Sequence, residues 1–207
     1  MSAACRADQH PNRTRSRAAL LTAGAAVAAL VLSACGSGGT SGGAGNTNFV
    51  AGKNGVDTAA KGERAAIPDL SGKTIDGQQL DVRDYKGKVV VLNVWGSWCG
   101  PCRAEAKNLE RVYQDTKDQG VQFVGINTRD TSTGPAQAFE KEQGITYPSL
   151  YDPTGKLMLR FKKGTLNPQL IPSTLIIDRD GKVAARTLQA LSEDSLRKML
   201  DPVLAEK

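Results

Sequence analysis

Histidine is almost missing from this chain. His10 is the single one in 207 residues, and it lies in an arginine-rich stretch that reads as the start of a cleavable leader. A mature chain without histidine argues against a His-assisted nucleophile, a His-ligated haem and a Cys/His zinc site. Cysteine is scarce too: Cys5, Cys35, Cys99 and Cys102 are the four. Cys99 and Cys102 alone are too few for a four-coordinate structural zinc, so neither metal nor cofactor is expected. The apolar segment at residues 18–32 is uncharged, yet shorter than the roughly 20 residues of an ordinary membrane span. Basic stripes interleaved with aromatics are absent, which argues against nucleic-acid binding. Internal repeats are absent as well.

What is present sorts into three parts. Residues 6–17 carry Arg6, Arg13, Arg15 and Arg17 against Asp8, and residues 18–32 follow as the apolar region of a signal peptide. The segment ends in Leu32-Ser33-Ala34-Cys35, which resembles the lipobox of bacterial lipoproteins. The resemblance implies cleavage after residue 34 and lipid on Cys35. No Arg-Arg pair is present, so a twin-arginine route is not favoured. The formal charge is +6, and removing residues 1–34, with four Arg and one Asp, leaves +3. Residues 35–64 read as the lipidated cysteine and a Gly/Ser-rich linker, which buries too little apolar surface to offset its ordering entropy. Residues 65–207 read as one globular domain.

Within that domain, Ser71-Gly72 and Asp76-Gly77 punctuate a hairpin over residues 68–80. Strands are expected at 89–95, 121–127 and 174–178, and a closing strand at 182–189. Helices are expected at 103–119, 133–143 and from Ser192, as N-cap, to about Leu204. Residues 157–161 fit a short helix or a strand. Strands separated by helices, then a closing hairpin and helix, predict an α/β fold: a mixed central sheet with helices on both faces and an N-terminal β-hairpin extension.

Cys99-Gly100-Pro101-Cys102 falls between the first strand and the first helix. Two thiols there can pass between dithiol and disulfide without a cofactor. Cys99 lies at the helix N-terminus, where unpaired N–H groups and the dipole favour the thiolate, so it is the attacking thiol. Cys102 lies one turn in, on the buried face, and resolves the mixed disulfide. Pro101 suits a first turn, and Gly100 leaves the approach to Cys99 open. Glu105 lies on the flank of the apolar face that carries Cys102 and Leu109. A carboxylate there is a candidate acceptor for the Cys102 proton, with a raised pKa.

Trp98-Cys99-Gly100-Pro101-Cys102 after a strand resembles the active site of the thioredoxin superfamily. Ile171-Pro172-Ser173-Thr174 before the strand Leu175-Ile176-Ile177 resembles that superfamily's Pro-Thr strand start, where the proline is cis. The order of segments resembles the TlpA/ResA branch of extracytoplasmic thiol-disulfide oxidoreductases, which has a Glu at the Glu105 position. The resemblance implies a thioredoxin-like fold, with Pro172 opposite Cys99, the Ile171 backbone open to a substrate peptide, and Trp98 facing substrate. Trp95 reads as core. Two departures stand out: Leu170 occupies a position where relatives often have Gly, and Glu105-Ala106-Lys107 lacks the Glu-x-Pro of many relatives.

The resemblance further implies a lipid-anchored reductase on the outer face of the cytoplasmic membrane. It would draw electrons from a membrane dithiol transporter of the CcdA/DsbD type and keep apocytochrome c thiols reduced for cytochrome c maturation. The Gly-Pro dipeptide favours the reducing direction. A disulfide oxidase or isomerase is the first alternative. A peroxiredoxin-type peroxidase would want Thr or Ser where this chain has Gly96, and a non-catalytic binding lipoprotein would not need Cys99.

Overall fold

The computed structural model describes residues 47–206. The leader, the Cys35 lipidation site and the Gly/Ser tract lie outside the described residues. The elements are β1 (Val50–Ala51), β2 (Val56–Thr58), β3 (Ser71–Lys73), β4 (Gln79–Asp81), β5 (Val89–Trp95), α1 (Gly100–Thr116), β6 (Val121–Thr128), α2 (Thr133–Gln143), β7 (Ser149–Asp152), α3 (Lys156–Leu159), β8 (Ser173–Ile177), β9 (Val183–Thr187) and α4 (Glu193–Leu204). Seven strands form one mixed sheet in the order β1-β2-β9-β8-β5-β6-β7, and β3 and β4 form a separate hairpin. β5, β6 and β7 run parallel, while β8 and β9 are antiparallel to their neighbours.

β5 sits near the middle of the sheet, and all seven of its residues are buried. Its valine-rich run, apolar at every position but Asn93, suits a strand covered on both faces. Val90, Leu92 and Val94 point to one side, among Leu70, Val82, Leu150 and Leu157. Val89 and Val91 point to the other, among Leu109, Val112, Leu196 and Leu200. Trp95 continues that second side against Cys102, Ala106 and Phe139. Each such aliphatic side chain contributes roughly 1.5–3 kcal/mol by leaving water. The helices are therefore unequally shared: α1, α2 and α4 cover one face, and α3, the β3–β4 hairpin and a 3-10 turn at Val82–Tyr85 cover the other.

Helix ends follow local chemistry. Gly120 and Gly144 adopt left-handed conformations just past α1 with its 3-10 extension and past α2. The Ser192 hydroxyl caps α4 by accepting from the Ser195 N–H at 3.2 Å, with Glu193 and Asp194 in the first turn. Residues 157–161, ambiguous in sequence, are mostly the short helix α3.

The folded part reaches back past residue 65, where the sequence places its start. β2 pairs with β9, and β1 pairs with β2. Arg186 of β9 donates to Asp57 Oδ2 at 2.8 Å and lies 4.5 Å over the Phe49 ring. Arg64 grips Glu206 with two nitrogens, at 2.6 and 2.7 Å, and Asp178 at 3.0 Å. β7 is a second element the sequence reading lacks. It is four residues long, follows Pro148 and shows no alternation, so it is recognisable only from its pairing with β6.

Candidate active site

β5 delivers the chain to a turn at residues 96–98, and α1 begins at once. Cys99 is the N-cap of α1, with Pro101 in the first turn. Cys99 and Cys102 are joined in a disulfide. The Cys99 sulfur also accepts the Cys102 backbone N–H at 3.2 Å. That is one of the helix's unpaired donors, and an N–H aimed at this sulfur favours negative charge there. Cys99 and Cys102 are only 4% and 2% exposed. The approach is nonetheless clear at Gly100, where a Cβ would meet no other atom within 4 Å.

The Ile171–Pro172 peptide bond is cis. The Ile171 carbonyl oxygen lies 3.8 Å from the Cys99 sulfur. Pro172 is buried and Ile171 half-buried. The preceding turn is closed by the Ser173 hydroxyl, which donates to the Leu170 carbonyl at 2.6 Å. Leu170, at the position where relatives often have Gly, leaves its side chain 45% exposed. Arg186 holds the carbonyls of Gly164 and Thr165 at the start of this loop.

Glu105 is 1% exposed, a deeper place than the flank position suggested. One carboxylate oxygen accepts from Asn93 Nδ2 and the other from the Leu191 N–H, both at 2.8 Å. Asn93 Nδ2 also reaches Thr174 Oγ1 at 3.0 Å. The carboxyl thus ties α1 to β5, to the strand after Pro172 and to the loop before α4. Burial pushes its pKa up to about 7, against the two hydrogen bonds that favour the anion. Cys102 and Glu105 are three residues apart on an unbroken helix, so they share a face. A carboxyl whose pKa burial raises to about 7, three residues along the helix from Cys102, has the properties of a general base or acid.

Trp98 is 52% exposed. Its indole folds back over Gly96, where a Cβ would come within 2.7 Å of Nε1, so this close approach requires glycine. The Arg129 guanidinium stacks on the Trp98 ring, 4.4 Å from its centroid. The buried Asp130 carboxylate pins the turn from beneath. It accepts from the Ser97 N–H at 2.9 Å, the Ser97 hydroxyl at 2.5 Å and Asn127 Nδ2 at 2.6 Å. Trp95 is core: it stacks on Phe139 at 4.6 Å and donates to Ser149 Oγ at 3.3 Å.

The fold therefore brings Cys99, Cys102, Glu105, Trp98, Ile171 and Pro172 to one end of the sheet. Sequence reasoning missed Asn93, Arg129 and Asp130 as parts of the site, and read Thr174 only as part of the Pro-Thr strand start, not as the partner of Asn93. Asn93 carried a signal, as the single polar residue in the apolar run of β5. The other three lie in segments whose partners are remote in sequence.

Residues 60–201 match the Redoxin family. The thiol:disulfide interchange protein HelX of Rhodobacter capsulatus is 36% identical, over 73% of this chain and 81% of the relative. The thiol-disulfide oxidoreductase ResA of Bacillus cereus is 28% identical, over 75% and 83%. Among solved structures, a DsbF homologue from Corynebacterium diphtheriae superposes with a TM-score of 0.67 at 37% identity, over 73% and 94%. A secreted thiol-disulfide isomerase from Corynebacterium glutamicum superposes at 0.69 with 30% identity, over 74% and 94%. The chain belongs to the Redoxin family, and its cysteine pair is the redox centre of a thioredoxin-fold thiol-disulfide oxidoreductase similar to ResA and HelX.

Proposed function

We propose that this oxidoreductase is tethered by lipid on Cys35 to the outer face of the cytoplasmic membrane, where it reduces disulfides in exported proteins. By the ResA likeness, apocytochrome c is the foremost client, and a membrane dithiol transporter of the CcdA/DsbD type returns the electrons. The observation that carries the reading is the placement of the pair, with Cys99 at the α1 N-terminus beside the Ile171 carbonyl and Glu105 buried one turn below Cys102.

In the reduced protein the Cys99 thiolate attacks a client disulfide. A Cys99–client bond forms, the client's S–S bond breaks, and the released client thiolate takes a proton. Glu105 accepts the Cys102 proton. The Cys102 thiolate then attacks the Cys99 sulfur, which re-forms the Cys99–Cys102 bond and frees the second client thiolate. The client gains two electrons and the enzyme loses two. The client strand lies along residues 170–172, as extended peptide pairing with backbone at a fixed edge does elsewhere.

Replacing Cys102 with Ser leaves Cys99 joined to its client. Capture of apocytochrome c supports this reading, and capture of many unrelated secreted proteins refutes it. The second outcome favours a disulfide oxidase or isomerase, a reading to which the C. glutamicum relative's description as a secreted isomerase lends weight. A potential near the ~−270 mV of thioredoxin supports the reductase, and one near the ~−120 mV of DsbA supports the oxidase.

A further inference from the structure

Arg129 is placed as a recognition group, and the reading of a polypeptide disulfide client gives it something to recognise. Among the described residues, Arg129 alone of the arginines makes no hydrogen bond or ion pair. Arg64, Arg83, Arg103, Arg111, Arg186 and Arg197 are in salt bridges. Arg160 and Arg179 donate to carbonyls. Arg129 makes only its stack on Trp98. Its side chain is exposed, with the guanidinium edge left for a ligand.

The placement is held in several ways. Arg129 sits at φ +60°, a left-handed conformation that costs a long non-glycine side chain roughly 1 kcal/mol or more. The next residue, Asp130, overrides that cost with its three hydrogen bonds to Ser97 and Asn127. The Tyr151 hydroxyl adds a fourth bond, to the Asp130 carbonyl at 3.0 Å. Trp98 is in turn seated on Gly96. Two loops are thus clamped so that a cation lies over the exposed ring next to Cys99. A guanidinium ordered in advance loses less freedom when it binds, and its planar fork matches a carboxylate with two parallel hydrogen bonds.

The reach fits a peptide. Trp98 directly precedes Cys99, and the guanidinium lies across its ring. An extended client advances about 3.3–3.6 Å per residue, so the cation meets a side chain about two or three residues from the engaged cysteine. Ile171, whose carbonyl oxygen lies 3.8 Å from the Cys99 sulfur, is preceded by an exposed aliphatic side chain, Leu170. The exposed groups near Cys99 are therefore a cation on an aromatic ring and an aliphatic side chain.

We propose that Arg129, stacked on Trp98, is a specificity-determining residue that recognises an Asp or Glu side chain of the client polypeptide two or three residues from the cysteine joined to Cys99.

The test uses one neutral peptide with a single cysteine, capped as its disulfide with 2-mercaptoethanol. Versions carry Glu, Gln or Lys three residues from the cysteine on one side or the other. The reduced full-length protein is mixed with each, and the second-order rate of thiol release is measured. The Glu peptide reacts about fivefold faster than the Gln peptide at low salt, on one side of the cysteine only, and the Lys peptide more slowly than Gln. The preference shrinks at high salt. In Arg129→Gln the Glu-to-Gln ratio falls to about one, and Arg129→Lys restores part of it. Equal rates for the three peptides in the wild type, or an unchanged ratio in Arg129→Gln, overturn the inference while leaving the oxidoreductase reading intact. A protein that reduces none of the peptides overturns both.

Discussion

Replacing Glu105 with Gln removes one buried titration and leaves the shape of the core almost unchanged. The Glu105 carboxyl has a pKa of about 7 in the fold against 4.5 for the free side chain. The folded state therefore holds this proton more tightly than the unfolded one. Below pH 4.5 both states are protonated and the full stability is present. Between 4.5 and 7 the unfolded state releases the proton first, so stability falls with rising pH. Above about 8 the loss is complete, and at 1.36 kcal/mol per pH unit it amounts to about 3 kcal/mol. Glutamine does not titrate, but its amide turns one donor toward either Asn93 Nδ2 or the Leu191 N–H. That mismatch costs about 1–2 kcal/mol at every pH. The oxidised variant is thus less stable than wild type at pH 5 and equally or more stable at pH 8. Urea unfolding of both oxidised proteins from pH 4.5 to 9, at constant ionic strength, measures the difference. Glu140, whose carboxyl burial also raises to about 7, titrates in both proteins and cancels. A stability difference that does not change with pH refutes the assignment of the buried proton to Glu105. A rate of mixed-disulfide resolution unaffected in Glu105→Gln refutes its role as acceptor of the Cys102 proton.

Asp130→Ala leaves three donors without their acceptor, at a cost of about 3 kcal/mol. The Tm of the oxidised protein falls by roughly 6–12 °C, and thiol exchange slows because the 96–98 turn is no longer held. A chain beginning at residue 65 loses Phe49, the β2 cover of β9 and the Arg64 bridge. It melts at least 10 °C below a chain beginning at residue 47 and aggregates through its exposed β9 edge. Equal melting temperatures would show β1 and β2 to be dispensable.

The strand-to-helix junction and the cysteine pair were legible because they are local. Seven consecutive buried residues in β5, a proline in the first turn and a cysteine at the N-cap declare themselves within a dozen positions. Gly120, Gly144 and Ser192 marked helix ends for the same reason. Pro172 was legible only through resemblance, since nothing near it in sequence points to Cys99. The tract before residue 65 read as linker because its glycines and polar residues dominate any local window. Its β2 strand becomes a strand by covering β9, about 130 residues away.

The chemistry of this protein was already in its amino-acid order: two thiols at a helix N-terminus, with a carboxyl one turn on, are separated by fixed helical geometry. How that chemistry is tuned was not. Glu105 has its raised pKa because β5, β8 and the loop before α4 close over it and exclude water. Arg129 meets Trp98 because Asp130 joins two turns that the chain keeps 33 residues apart. Desolvation and charge placement depend on what packs around a group, and only the folded sheet brings those neighbours together.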